Sequence, residues 1–246
     1  MKYLSGQPNI VTAMRSLASH QILLSRAKHQ KPSLLLETAF TAVCVILLIR
    51  LIATSAVADA GWFLIPSVLV AASLVPTWVR QDEFPMIGME RRQIRTTMGV
   101  LCPICALVFP VMFVSLWLLK SRGLELPLPP AMPKGQNWFC WLFYQFMYVA
   151  VAEEFFFRGY IQGNILKLAN TLRQNQRLNA AVSIVLSAAL FATAHVIVQG
   201  ETASVLTFLP GLVLGWLFIR TRSLLAPILF HGLANTFYNV AALVLA

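Results

Sequence analysis

Seven runs of about 20 mostly apolar residues dominate the chain, and a run of that length with few charges reads as a helix that crosses a bilayer. They extend roughly from Leu34 to Ala58, Trp62 to Val79, Thr97 to Leu119, Trp138 to Gln162, Ala180 to Val198, Ser204 to Ile219 and Leu224 to Ala246. No segment alternates with period two, so a transmembrane barrel is excluded. Composition closes the soluble alternatives. Of 246 residues, 58% are hydrophobic and 11% charged, whereas a soluble domain carries about 25% charged residues to cover its surface. The expectation is an all-α polytopic membrane protein with seven to eight transmembrane helices. The short sixth run leaves room for an eighth crossing or a re-entrant piece.

Charge then orients the chain. Its formal net charge is +10, which in a membrane protein points to anionic lipid facing cytoplasmic loops rather than to nucleic acid. With the N-terminus placed in the cytoplasm, the tail (Lys2, Arg15, Arg26, Lys28, Lys31), the loop after the second run (Arg80, Arg91, Arg92, Arg95), the stretch after the fourth (Arg158, Lys167, Arg173, Arg177) and Arg220 with Arg222 all fall on the inner side. Only Lys120, Arg122 and Lys134 fall outside, and Arg50 lies within the first run. The reading is therefore an integral protein of a bacterial cytoplasmic membrane, N-terminus in. Residues 1–33 form a basic segment on the cytoplasmic side, either a surface-lying helix or a tail. Residues 34–137 hold three N-terminal spans, with a Pro-rich outer loop from Leu126 to Pro133 at their end, and 138–246 carry the remaining four. No internal repeat is visible, which weakens an inverted-repeat transporter.

Cys44, Cys102, Cys105 and Cys140 fall inside apolar runs, where a desolvated thiol stays protonated and inert, so they read as packing residues. Glu37 and Arg50 lie toward opposite ends of the first span and can snorkel to its edges. The fourth span is different. It ends in Ala152-Glu153-Glu154-Phe155-Phe156-Phe157-Arg158, two adjacent carboxylates between apolar neighbours, and ionisable groups at such depth are functional candidates. On an ideal α-helix Arg158 stands about 40° from Glu154 but about 140° from Glu153. Glu154 and Arg158 thus form an i,i+4 pair that can neutralise itself. Glu153 has no partner on its own helix, and such a carboxylate can serve as a general base. The fifth span adds Phe191-Ala-Thr-Ala-His195 and the seventh His231-Gly-Leu-Ala-Asn235, each an i,i+4 pair on one helix face. Glu153, His195, His231 and Asn235 would together form a buried polar site between helices, suited to activating water and holding an oxyanion.

The order Glu-Glu-x-x-x-Arg, Phe-x-x-x-His and His-x-x-x-Asn resembles the CAAX prenyl endopeptidase type II and bacteriocin-processing (CPBP, or Abi) family of intramembrane proteases. Pro210-Gly211 through Gly215-Trp216, Arg220 to Ser223 and Pro227 to His231 extend the likeness over residues 138–240. The resemblance implies an intramembrane endopeptidase in which Glu153 and His195 hold and deprotonate water while His231 and Asn235 face the scissile carbonyl. Glu154 and Arg158 would support them. The family was first described as zinc proteases, and Glu153, His195 and His231 could supply a three-ligand zinc site. The chain has no His-Glu-x-x-His run, and Asn235 suits hydrogen bonding better than metal binding, so a metal-free glutamate mechanism without cofactor is the preferred expectation. The expected partners are the bilayer and a peptide or protein with a hydrophobic or lipidated segment. An inactive immunity or scaffold protein of the same fold, and a proton-coupled transporter, are the competing readings. One conflict remains: with span boundaries at Gln162 and Ala180, Glu153 and His195 differ in depth by roughly 9 Å.

Overall fold

A computed structural model describes residues 33–85, 90–124, 137–172 and 174–245. The basic segment expected before residue 33 and the Pro-rich loop lie outside them. Among the described residues there are helices and no strands. Helix α1 runs Ser33–Thr54, α2 Gly61–Val79 and α3 Arg91–Ser121. The fourth element, α4, is a continuous helical run over residues 138–172 in which π-helical turns, Tyr144–Ala150 and Phe155–Gln162, flank the short α-segment Val151–Glu154. Then follow α5 (Gln176–Gln199), a 3-10 turn (Thr202–Thr207), α6 (Phe208–Thr221) and α7 (Leu225–Leu245).

Six of these helical stretches are long and apolar enough to cross a membrane. They match six of the seven expected spans; the seventh, Trp138–Gln162, is α4, whose π turns break it into short pieces. Polar signals set the ends. Asn175 accepts a hydrogen bond from the Leu178 amide at 3.1 Å and starts α5, as an N-cap should. Gly200, at φ 74°, ends it in the left-handed conformation that glycine tolerates. The outer surface is apolar, with Phe40, Trp78 and Phe139 each more than 70% exposed. That is the surface expected where lipid, not water, is the solvent.

The interior is organised around α4. One apolar cluster joins α1, α2, α4 and α5 through Ile46, Leu69, Phe156 and Phe191. Another joins α3, α6 and α7 through Leu101, Leu214 and Phe230. Alongside α5, α4 runs antiparallel in a steady register: Asn179 donates to Asn170 at 2.8 Å, and the Ser187 hydroxyl to the Phe157 carbonyl at 2.8 Å. This register resolves the depth conflict. The C-terminal end of α4 is Leu172, not Gln162, so Glu153 stands 19 residues before that end and His195 stands 19 residues after Gln176. The expected boundary came too early because Gly163–Leu172 is polar on one face and breaks the apolar run.

Glu37 and Arg50 make structural contacts near the two ends of α1. Glu37 accepts from Arg80 at the end of α2 and from the Tyr160 hydroxyl of α4, the latter at 3.0 Å. Arg50 donates to the Val198 carbonyl at 3.0 Å, meeting the C-terminus of α5, where a cation is favoured. Beyond the spans, Asp82 accepts from Arg80 at 3.0 Å and from Lys167 at 3.2 Å. Partial burial would raise its pKa, but these two hydrogen bonds and positive charges outweigh it and hold the carboxyl below the usual range. The network ties the ends of α1, α2 and α4 together.

Where α7 crosses α4, Gly232 lies under the ring of Phe146. A Cβ at Gly232 would stand 2.5 Å from Cδ1 and Cε1 of that ring and 2.8 Å from Cγ, close to the ring's anchored end, where it cannot swing away. Gly232→Ala should therefore lose about 1–3 kcal/mol by overpacking. Thermal unfolding in detergent should show a lowered midpoint for this variant, and an unchanged one would mean that the crossing is looser than described.

Candidate functional site

The residues singled out in the sequence come together where α4, α5 and α7 meet. Glu153 projects from the short α-segment between the two π-helical stretches of α4. Its Oε2 lies 3.8 Å from His195 Nε2 of α5 and 3.7 Å from His231 Nε2 of α7. That oxygen is buried and has no hydrogen-bond partner among the described residues. π turns are rare and concentrate at functional positions, and here they bracket the two carboxylates.

The imidazoles are held by their other nitrogens. His195 Nδ1 lies 2.9 Å from the Phe191 carbonyl, which can only accept, so this nitrogen carries the proton. His231 Nδ1 lies 2.7 Å from Glu154 Oε1 and donates to it in the same way. Both Nε2 atoms therefore turn toward one carboxylate oxygen, at separations longer than a direct hydrogen bond and suited to a shared small ligand such as water.

Glu154 and Arg158 form the expected pair, with Nη1 3.1 Å from Oε1 and both side chains fully buried. Arg158 reaches further and donates to the Gly211 carbonyl of α6 at 3.3 Å. Its guanidinium also stands 4.5 Å from the ring centroid of Phe191, a cation–π contact in a desolvated place. Phe191 meets both imidazoles, with ring centroids 4.3 Å from His195 and 5.9 Å from His231. The expected Phe191–His195 face is thus one wall of the site.

Asn235 lines the same cavity, of about 600 Å³, as Glu153, His195 and His231. Its Nδ2 donates to Gln145 Oε1 at 3.1 Å. The amide has two N–H groups, so one is engaged by Gln145 and the second is available to the cavity. Gln145 is a member of the site that the sequence reading missed. The signal was present: it is a lone amide in the apolar stretch from Trp138 to Ala152, where a polar group needs a partner. With Glu154, Arg158 and Gln162, it forms a polar file buried along α4.

Glu153, His195 and His231 offer one carboxylate and two imidazoles, donor types that zinc accepts. Among the described residues, however, no three His, Cys, Asp or Glu groups are arranged to hold a metal ion. The cysteines stand apart from the site; Cys44, Cys102 and Cys140 are exposed on the apolar surface.

Removing one partner of a buried ion pair strands the other charge, at a cost of about 3–5 kcal/mol. Glu154→Ala should therefore lower the thermal midpoint of the purified protein before any question of activity arises, and more than Glu153→Ala does. Equal midpoints for the two variants would contradict the structural division between the adjacent carboxylates.

Residues 135–237 match the model of the family described as Rce1-like, type II CAAX prenyl endopeptidase Rce1-like. That stretch contains the whole α4–α7 site. No curated protein and no solved structure matches the chain.

Proposed function

From the match of residues 135–237 to the Rce1-like, type II CAAX prenyl endopeptidase family, we propose that the chain is an intramembrane endopeptidase of the glutamate type. The observation that carries this reading is the pair of imidazole Nε2 atoms aimed, at 3.7 and 3.8 Å, at the unpartnered Glu153 Oε2 on the wall of a polar cavity.

A water bound between Glu153 and His195 gives a proton to the carboxylate as its oxygen bonds to the scissile carbonyl carbon. The carbonyl oxygen takes up the electron pair and becomes an oxyanion. The second N–H of Asn235 donates to it, with Gln145 fixing the amide plane. His231 donates from Nε2 when its ring carries both protons, a charge that the Glu154 carboxylate at Nδ1 stabilises. Collapse of the intermediate breaks the C–N bond, and Glu153 returns the proton to the departing amine. The substrate is a membrane-associated peptide or protein tail with an apolar segment, since the site lies among apolar helices.

Zinc held by Glu153, His195 and His231 would instead supply a bound water as nucleophile. The metal-free reading is preferred because Asn235 and Gln145 already provide an oriented amide donor.

Glu153→Gln keeps shape and removes the base. The variant should insert and fold normally while cleavage falls by orders of magnitude, and near-normal turnover by a well-folded Glu153→Gln would overturn the mechanism. Asn235→Ala should lower the rate by about 10²–10³, the loss typical of an oxyanion donor.

Purified protein should carry no stoichiometric zinc and should keep its activity after chelation and dialysis. Zinc found at one equivalent by elemental analysis, with activity lost on chelation and restored by the metal, would replace the glutamate mechanism and leave the protease reading standing.

A further inference from the structure

The polar lining of the large cavity lies on one side of Glu153. Gln145 precedes Glu153 by eight residues on α4, Asn235 follows His231 by four on α7, and Gln199 follows His195 by four on α5. Glu201 stands just beyond, in the turn to α6. These displacements all run toward the same end of the bundle, because α4 is antiparallel both to α5 and to α7. The antiparallel pairing with α7 is fixed by the Glu154–His231 and Gln145–Asn235 contacts. A second cavity, of about 340 Å³ and lined by Trp62, Tyr144 and Tyr148, reaches Glu153 from the α1–α2 turn. That turn belongs to the same end, since Arg50 near the end of α1 meets Val198 near the end of α5.

In the other direction the interior is shut. Phe156, Phe157, Arg158, Tyr160 and Gln162 follow Glu153 along α4, and none is more than 3% exposed. Arg158 and Gln162 are tied to the Gly211 and Gly215 carbonyls of α6, and the Glu37–Arg80–Tyr160 contacts lie at that end of α1 and α2.

The two ends differ in charge. The closed end carries Arg80 after α2, Arg91, Arg92 and Arg95 at the start of α3, Lys167 and Arg177 around the α4–α5 turn, and Arg220 and Arg222 where α6 stops. Among the described residues the open end carries only Arg50, already bound to a carbonyl, and Lys120 and Arg122 at the end of α3. Lys and Arg close to span ends are retained on the cytoplasmic side.

We propose that the site is reached from the face opposite the cytoplasm. Its substrates are then polypeptides already carried across or through the membrane, with the scissile bond on the non-cytoplasmic side of their apolar segment, rather than the termini of cytosolic proteins. The substrate assignment rests on the endopeptidase reading; the direction of opening does not.

The test is single-cysteine labelling of the full chain in right-side-out membrane vesicles, with Cys44, Cys102, Cys105 and Cys140 first changed to Ala. Thr202→Cys in the α5–α6 turn and Asp59→Cys in the α1–α2 turn report the open end. Gln174→Cys between α4 and α5 and Glu83→Cys after α2 report the closed end. A membrane-impermeant maleimide should label Thr202→Cys and Asp59→Cys in sealed vesicles, and Gln174→Cys and Glu83→Cys only after the vesicles are opened with detergent. The reverse pattern would overturn the proposal. All four positions lie in turns away from Glu153, so the result is independent of catalysis, and a failure here is distinct from a failure of the Glu153→Gln prediction.

Discussion

A fully buried carboxylate, Glu154, is the constraint from which the rest of the site follows. Its Oε1 accepts from Arg158 on its own helix and from His231 Nδ1 on α7. An isolated charge at this depth would be too costly to keep, and these charge-assisted bonds make it tolerable. Because Arg158 also binds the Gly211 carbonyl, one acid links α4 to both α6 and α7. The ring of His231 is thereby turned so that its second nitrogen faces Glu153. The adjacent carboxylates divide the work: one is spent on structure, which leaves the other without a partner.

Small residues and aromatic rings bring the helices to the distances this arrangement requires. Gly211 sits against Ala188 of α5, and Gly232 against Phe146 of α4. In a bilayer, close helix contact comes from such small residues, because lipid tails solvate apolar side chains as well as protein does. Phe191 fills the space between the two imidazoles and the Arg158 guanidinium. The π-helical stretches on either side of Val151–Glu154 depart from regular α geometry where the two acids must point to different neighbours.

Much of this was legible in the sequence, for local reasons. The spans are long and apolar, and the pairs Glu154/Arg158 and Phe191/His195 sit at i,i+4 spacing, where a helix forces side chains together. Glu153, His195, His231 and Asn235 were singled out as polar groups deep within the later spans, and they line one cavity. What escaped was long-range or lay at a boundary. The Gln145–Asn235 hydrogen bond joins residues 90 apart, and the Arg80–Glu37 contact joins residues 43 apart; neither spacing carries a periodic signal. The C-terminal end of α4 escaped because Gly163–Leu172 carries a polar face, and hydropathy stops where the helix does not. The π turns were invisible, since the apolar pattern around them suits an ordinary α-helix equally well.

The arrangement stands or falls on the bond between Glu154 and the ring of His231, and that bond can be observed without a substrate. In protein labelled with ¹⁵N-histidine and held in lipid nanodiscs, the His231 Nδ1–H should give a downfield, slowly exchanging proton resonance. Glu154→Gln should shift or abolish it, while the corresponding proton of His195, bound to the Phe191 carbonyl, stays in place. A His231 ring resonance unchanged by Glu154→Gln would show that the buried carboxylate does not orient this imidazole, and would contradict the account at its root.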